Sequence, residues 1–282
     1  KVLPSSIFKQ AFYLKADNEQ ETTQSGLLSF VNICRSGIQI LKRNEAFKAV
    51  EFLSCQFPHS SDDETWSNNV SELTLSNNFQ SFVANTETAF SISDSKVMLV
   101  PTSLFSETGK KNSFEFLFDN SEDLHVKAQK LSNSDTVGIF GIPKNIAKIV
   151  SKPIHSSCLT WLDRLQTNSE KAQIQLVLEE KQFALVVFKD ASLVFSNWFQ
   201  FGKPEDVLYY LMASLESLKI LHSEVEVSLN GNIEKGDAMH TTIAKYISKL
   251  SFGKRPKNLT YSYSFKELQE HRFPFIFEAA CA

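Results

Sequence analysis

Residues 174–218 read IQLVLEEKQFALVVFKDASLVFSNWFQFGKPEDVLYYLMASLESL, and this stretch carries the strongest fold signal of the chain. Three apolar runs, at 174–178, 183–189 and 193–201, are separated by short polar turns. Apolar runs of this length joined by turns of a few residues predict a meander of antiparallel strands. In the third run most alternate residues are large and apolar, which is the two-residue period of a strand with one buried face.

A helix is predicted directly after this meander. Pro204 suits the first helical position because an N–H there has no intrahelical partner, and Glu205 and Asp206 favour the positive end of the helix dipole. The apolar stripe that follows at helical spacing consists of Val207, Leu208, Leu211, Leu215 and Leu218. We predict a strand at 225–229 after this helix, and then a second amphipathic helix at 239–250.

The first half of the chain repeats this order of elements. Its apolar runs lie at 27–33, 38–42 and 46–57 and predict a second meander. Trp66, Val70 and Leu73 stand at helical spacing and predict the helix that follows the meander. A meander of three strands followed by a helix and a parallel strand is the ribonuclease-H-like order. Its duplication predicts an α/β protein with an actin-like fold, in which mixed sheets flanked by helices form two halves around a cleft.

The remaining segments complete the predicted organisation. Further strands are predicted at 97–101, 114–118 and 136–142, and a short helix is predicted after Pro143. The apolar segment at 273–277 should dock into the protein's own sheet rather than onto a partner. We assign the chain to an N-terminal arm at 1–25, a first half at 26–153, a linker helix at 154–170 and a second half at 171–282.

Four short segments carry a family resemblance that extends over about residues 25–282. They are LVPTSLF at 99–105, FSNWF at 195–199, PEDVLYY at 204–210 and SLNGNI at 228–233. With them the chain resembles a domain-of-unknown-function family found in Bacteroidetes, which is described as having an actin-like ATPase fold. The resemblance implies that fold and a bacterial cytoplasmic setting. It implies no catalytic residue, because none is assigned to the family.

Charge and composition exclude several classes of function. The 29 basic and 32 acidic residues are scattered along the chain and leave a net charge of −3. Nucleic-acid-binding surfaces are basic, so we expect no nucleic-acid partner. The four cysteines include no C-x-x-C pair, which fits free thiols in a reducing cytoplasm. No apolar run approaches the ~18 residues of a membrane span, and we expect a cytoplasmic location.

ATP hydrolysis is the first chemistry that an actin-like fold suggests, because such enzymes hold phosphates and Mg²⁺ against glycine-rich, acidic hairpin turns. The turn at 34–37 has one glycine and no carboxylate, and the turn at 189–192 has Asp190 but no glycine. Asn230, Gly231 and Asn232 form a small-residue turn after a strand, where an adenosine would rest. The candidate cofactor-binding residues are therefore Asp190, Asn230, Gly231 and Asn232. We nevertheless expect no bound cofactor, with ATP and Mg²⁺ as the alternative.

The sequence contains no residue spacing typical of a metal site or of a catalytic nucleophile. The six histidines are dispersed and no pair stands four residues apart, so we predict no metal site. His155 lies beside Ser156, Ser157 and Cys158, but neighbours in sequence do not make a catalytic triad, and serine at a helix start is an ordinary cap. We predict no catalytic residues.

The leading hypothesis is a non-catalytic actin-like protein that acts as a binding or scaffold module for an unknown protein partner and has a degenerate nucleotide cleft. The alternative is a nucleotide-dependent ATPase or kinase-like switch of the actin, hexokinase and Hsp70 type. Glycine content and turn carboxylates distinguish the two, and both favour the first. A role in RNA or ribosome maturation would require a basic surface that the sequence does not show.

Overall fold

The computed structural model describes residues 9–16, 26–58, 62–84, 86–118, 123–150, 152–165 and 171–281. In chain order its strands are β1 (Lys9–Lys15), β2 (Leu28–Cys34), β3 (Gly37–Arg43), β4 (Lys48–Gln56), β5 (Glu87–Ser93), β6 (Val97–Pro101), β7 (Leu124–Lys130), β8 (Thr136–Pro143), β9 (Ile154–Ser156), β10 (Gln173–Leu178), β11 (Gln182–Lys189), β12 (Ser192–Gln200), β13 (Glu226–Gly231), β14 (Lys249–Phe252) and β15 (Thr260–Tyr261). Its α-helices are α1 (Asp63–Leu75), α2 (Asn77–Val83), α3 (Lys110–Leu117), α4 (Lys144–Ile149), α5 (Ser157–Arg164), α6 (Pro204–Ser217), α7 (Ala238–Ala244) and α8 (Pro274–Ala279), and short 3-10 helices lie at Thr102–Leu104 and Tyr263–Glu267.

The second meander forms as predicted. β10, β11 and β12 pair antiparallel, β13 joins β10 in parallel, and β14 joins β13 in parallel. The resulting strand order is β12-β11-β10-β13-β14. α6 begins at Pro204, and its buried Val207, Leu211 and Leu215 belong to the same core cluster as this sheet.

The first sheet has the same topology. β2, β3 and β4 pair antiparallel, β5 joins β2 in parallel, and β9 joins β5 in parallel. The order β4-β3-β2-β5-β9 therefore corresponds strand by strand to the second sheet, and β1 and β15 both add at β4. This duplication confirms the predicted architecture of two ribonuclease-H-like halves.

A third sheet, with the order β6-β8-β7, is inserted between β5 and β9. The strands predicted at 97–101 and 136–142 form β6 and β8, but the strand predicted at 114–118 is wrong because residues 114–117 lie in α3 and Phe118 is its C-cap. Phe114, Phe116 and Phe118 have the two-residue spacing of a strand. Phe114 in the helix and Phe118 at its C-cap instead lie together with ring centroids 4.7 Å apart, and Phe114 is buried against the sheet.

Two further expectations are corrected near the chain ends. The predicted arm includes a strand, β1, which pairs with β4. The helix predicted at 239–250 is wrong in its second half, since α7 ends at Ala244 and β14 follows from Lys249. The parallel hydrogen bonds that β13 offers at its open side override the apolar helical spacing of these residues.

The C-terminal segment docks within the chain, as predicted. α8 buries Phe275, Ile276 and Phe277. Ile276 and Phe277 share a core cluster with Phe52 of the first sheet, and Phe275 contacts Trp161 of α5. Residues 259–281 thus return from the second sheet to the first. Among the described residues, no helix is both long and apolar enough to cross a membrane.

Candidate functional site

The cleft between the halves is lined by two hairpin turns that occupy equivalent positions of the repeat. Residues 34–37 connect β2 to β3, and residues 179–181 connect β10 to β11. Two cavities of about 320 and 420 Å³ flank these turns, and Ser36 and Glu179 line both cavities. The counterpart of the first turn is therefore 179–181. The turn at 189–192, which the sequence analysis compared with it, is not its equivalent in the repeat.

The first turn is held by close backbone packing. A Cβ atom at Gly37 would come within 1.9 Å of the carbonyl oxygen of Cys55, so only glycine fits there. The indole N–H of Trp66 donates to the carbonyl oxygen of Cys34 at 3.0 Å and anchors helix α1 to the turn. The glycine that the sequence presents as part of a phosphate-binding turn thus has a structural reason of its own.

Arg35 extends from this turn between two acidic side chains. Its guanidinium donates to Asp94 at 3.1 Å and also to Asp63, and it lies 4.2 Å from the ring centroid of Trp66. Burial lowers the pKa of Arg35, but the charges and hydrogen bonds of Asp94 and Asp63 outweigh burial and raise the pKa overall. Two carboxylates therefore neutralise the cation at this turn, and Lys96 also lies 3.6 Å from Asp63.

Glu179 occupies the second turn and links the two halves. Its Oε1 accepts a hydrogen bond from the hydroxyl of Ser93 at 3.1 Å, and its Oε2 accepts one from the amide of Gln182 at 2.7 Å. The side chain is half-buried, because part of its surface lines the cavities. Burial, with a smaller contribution from the Asp94 carboxylate, raises the pKa of Glu179 to about 7, although both hydrogen bonds and Arg35 act in the opposite direction.

Two buried thiols lie close to this carboxyl group. The Sγ of Cys34 contacts the carbonyl oxygen of Gly37 at 3.1 Å, and the Sγ of Cys158 lies 3.6 Å from the hydroxyl of Ser93. Burial and the nearby Glu179 raise the pKa of both thiols. Because the thiolate is the nucleophilic form, neither cysteine is poised for attack at neutral pH.

A protein-family model matches most of the chain. The model of a protein family of unknown function, DUF3822, matches residues 18–250. The chain belongs to this family. No curated protein sequence matches it.

Solved structures with low sequence identity share the fold of this DUF3822 family member. One is a Bacteroides thetaiotaomicron protein with an actin-like ATPase fold and unknown function, at a TM-score of 0.71 and 16% identity, covering 83% of this chain and 93% of that one. Another is from the PilM-PilN type IV pilus biogenesis complex, at a TM-score of 0.62 and 12% identity, covering 92% of this chain and 98% of that one. These similarities establish the actin-like fold, as predicted.

The small-residue turn after β13 reaches the cleft only in part. Gly231 and Asn232 line the 320 Å³ cavity. Asn230 is buried, lies outside that cavity, and donates to Gln175 at 3.1 Å. Gly231 has φ of 86°, and a Cβ there would lie 2.1 Å from the carbonyl oxygen of Leu178. The backbone alone therefore requires glycine, and nucleotide binding by this turn stays a prediction.

Asp190 lies away from the other three candidate residues. It sits in the turn between β11 and β12 with φ of 51°, a left-handed conformation that aspartate tolerates. β11 has 8 residues and spans roughly 25 Å at ~3.3 Å per residue, so Asp190 is about one strand length from the Glu179 turn. The structure does not bring Asp190 to the cleft.

Sequence reasoning missed Arg35, Asp94 and Glu179 as the polar centre of the cleft. The internal repeat contained the signal, because aligning β10 and β11 with β2 and β3 places 179–181 opposite 34–37. Asp94 follows β5 directly, at the strand end that faces the same cleft. Among the described residues, no group of three or more histidine, cysteine, aspartate or glutamate side chains could hold a metal ion.

Proposed function

We propose that this protein is a non-catalytic actin-like binding module whose cleft does not hydrolyse a nucleotide. The observation that carries the proposal is the hydrogen bonding of the Glu179 carboxyl group to Ser93 and Gln182. An ATPase of this fold needs a carboxylate that is free to organise Mg²⁺ and water. Here both carboxyl oxygens accept hydrogen bonds from the protein, and the raised pKa leaves a large protonated fraction near neutral pH.

The opposite turn supports the same conclusion. A phosphate group would be attracted by an unpaired cation, but Arg35 is already paired with Asp63 and Asp94. The exposed Glu180 adds a further negative charge beside the 320 Å³ cavity. A triphosphate placed between the turns would therefore face carboxyl groups on both sides.

One observation favours the alternative, a nucleotide-dependent ATPase or kinase-like switch. The 320 Å³ cavity is bounded by both hairpin turns and by Gly231 and Asn232. Its volume falls within the ~300–1,000 Å³ that is usual for small-molecule sites. Arg272 also lines this cavity and is a cation that a ligand could use.

Phosphate release and calorimetry with Mg·ATP test the two functions. We expect no Mg²⁺-dependent phosphate release and an ATP affinity weaker than ~100 μM, or about −5.5 kcal/mol. Glu179→Gln is the informative variant, and Asp190→Ala is its matched control because Asp190 lies outside the cleft. Turnover by the wild type that Glu179→Gln abolishes and Asp190→Ala retains would contradict the proposal and support the ATPase.

The proposed module binds a protein partner in the cytoplasm. The similar pilus structure is a complex of PilM with PilN, which supports partner binding as a use of this fold. Affinity capture with mass spectrometry, with and without Mg·ATP, tests this role. A partner that is retained equally in both conditions is expected, whereas release that depends on ATP hydrolysis would favour the switch.

A further inference from the structure

We propose that the free edge of β7 is a docking site at which an extended acidic segment of a partner protein adds to the third sheet as a fourth strand. The site is independent of the cleft and requires no nucleotide. It combines an open strand edge, exposed apolar side chains beside one face, and lysines on the other face and around the edge.

The register of the third sheet leaves the backbone of β7 open on one side. β7 pairs only with β8 among the described strands, in the order β6-β8-β7. The amide of Leu131 donates to Thr136 at 3.0 Å, and the carbonyl of Asp123 accepts from Lys144 at 2.9 Å, so the odd-numbered residues bond to β8. Hydrogen bonding alternates along an antiparallel strand, and Val126, Ala128 and Lys130 therefore direct their N–H and C=O groups away from the sheet. Such a row of groups can pair with an added strand.

One face of the added strand would meet exposed apolar side chains. Leu124 and Val126 pack with Phe114 of α3, so this helix covers the face of β7 that the even-numbered residues share. On the same helix Phe116 is 93% exposed and Leu117 is 57% exposed. Alternate apolar side chains of an added strand would lie on that face beside α3 and would reduce its exposure to water.

The other face of β7 carries exposed basic side chains. His125 and Lys127 are exposed on β7, and α4, which packs against β7, exposes Lys148. The charged residues from 122 to 152, apart from histidine, are Lys127, Lys130, Lys144, Lys148, Lys152, Glu122, Asp123 and Asp135. This local excess of lysine contrasts with the net charge of −3 for the whole chain. Like charges disfavour pairing of two copies through β7, while carboxylates on a partner strand would be attracted.

Selection from a random decapeptide library on the full chain tests the proposal. We expect enriched peptides that alternate apolar and acidic residues. Ala128→Pro removes an outward N–H that β8 does not use, and it should weaken the best peptide at least tenfold. The double variant Lys127→Glu/Lys130→Glu should also weaken it at least tenfold without relying on the proline. Lys235→Glu, at an exposed position of the second half, is the matched charge control and should bind normally.

Three outcomes would overturn the proposal. The first is the absence of any enriched peptide with the alternating acidic pattern. The second is an enriched peptide whose affinity is unchanged by both the proline and the double-glutamate variant, with circular dichroism confirming that they fold. The third is a homodimer, detected by light scattering, that Ala128→Pro dissociates, because a second copy would then occupy the edge.

Discussion

Solution pH should act on this protein at Glu278, whose pKa burial raises to about 7, and at Glu179 in the cleft. The pKa of Glu179 rises from its ordinary 4.5 to about 7 in the folded chain, chiefly through burial. Between these values the folded state binds more protons than the unfolded state. The contribution of Glu179 to stability is therefore fully present below pH 4.5, falls as pH rises towards 7, and is lost above it.

We predict that Glu179→Gln removes the part of the pH dependence that comes from Glu179 and leaves the part that comes from Glu278. The uncharged amide resembles the protonated carboxyl, so the variant should gain about 1–3 kcal/mol in unfolding free energy relative to wild type between pH 5 and pH 8. The range allows for solvent that reaches the side chain through the cavities. Urea titrations at the two pH values measure the effect, and Glu180→Gln, at an exposed neighbour, is the control. Parallel curves for wild type and Glu179→Gln would show that Glu179 is ionised in the folded state throughout.

Gly231 suggests a ligand-binding turn in the sequence, but the backbone conformation alone explains why this residue is glycine. We predict that Gly231→Ala costs several kcal/mol, because it adds a contact of 2.1 Å with Leu178 to the strain of a positive φ. Gly236→Ala is the matched control, since Gly236 has φ of 89° with no atom within 4 Å of the added Cβ, and should cost about 1–2 kcal/mol. Equal thermal stabilities of the two variants would show that the turn relaxes, and its glycine would then need another explanation.

Among the elements, α6 is the one whose start, register and buried face follow directly from the residues. Asp206 accepts hydrogen bonds from the amides of Gly202 at 2.8 Å and Lys203 at 3.1 Å, which caps the helix start. These bonds lower the pKa of Asp206. Interactions between neighbours in sequence are therefore sufficient to specify where α6 begins.

We predict that Leu211→Ala costs roughly 2–5 kcal/mol in unfolding free energy, because Leu211 is fully buried in the core of the second sheet. Glu205→Lys should cost no more than ~1 kcal/mol, since this side chain at the positive helix end is exposed. Chemical denaturation measures both. A near-neutral Leu211→Ala would mean that α6 does not pack on the sheet as described. Loss of partner binding by a stable Glu205→Lys would identify the helix start as a functional surface.

Helix α3 shows the opposite case, in which local pattern and structure disagree. Phe114, Phe116 and Phe118 fit a strand by period and a helix by the spacing of the outer pair. The third sheet decides between them, because it accepts Phe114 and leaves Phe116 almost fully exposed. A short apolar run has no periodic signal strong enough to resist such tertiary packing.

At the scale of the whole molecule, Phe275 joins the two halves. Its ring centroid lies 5.6 Å from that of Trp161 on α5 and 6.0 Å from that of Trp198 on β12. The residue arrives there from the C-terminal segment after the chain has completed the second sheet. The packing of the halves therefore depends on contacts between residues that are far apart in the sequence.

We predict that Phe275→Ala costs roughly 3–5 kcal/mol and separates the unfolding of the halves into two thermal transitions. The cavity that the substitution leaves lies between the halves, so it should weaken their coupling without disrupting the core of either half. Phe116→Ala removes a ring of equal size that is 93% exposed and should leave a single transition at nearly the wild-type temperature. A single, unshifted transition for Phe275→Ala would show that the halves are coupled elsewhere.

The sequence by itself determined the repeated order of strands and helices, the start of α6 and the scarcity of phosphate-binding turns. These features depend on hydrophobic period, turn residues and capping, all of which act over a few neighbouring residues. Only the tertiary structure decided that Glu179, and not Asp190, faces the first hairpin turn, and that Arg35 is paired with Asp94. Which ends of distant strands meet is set by sheet order and by the packing of the two halves, and no local pattern encodes that pairing.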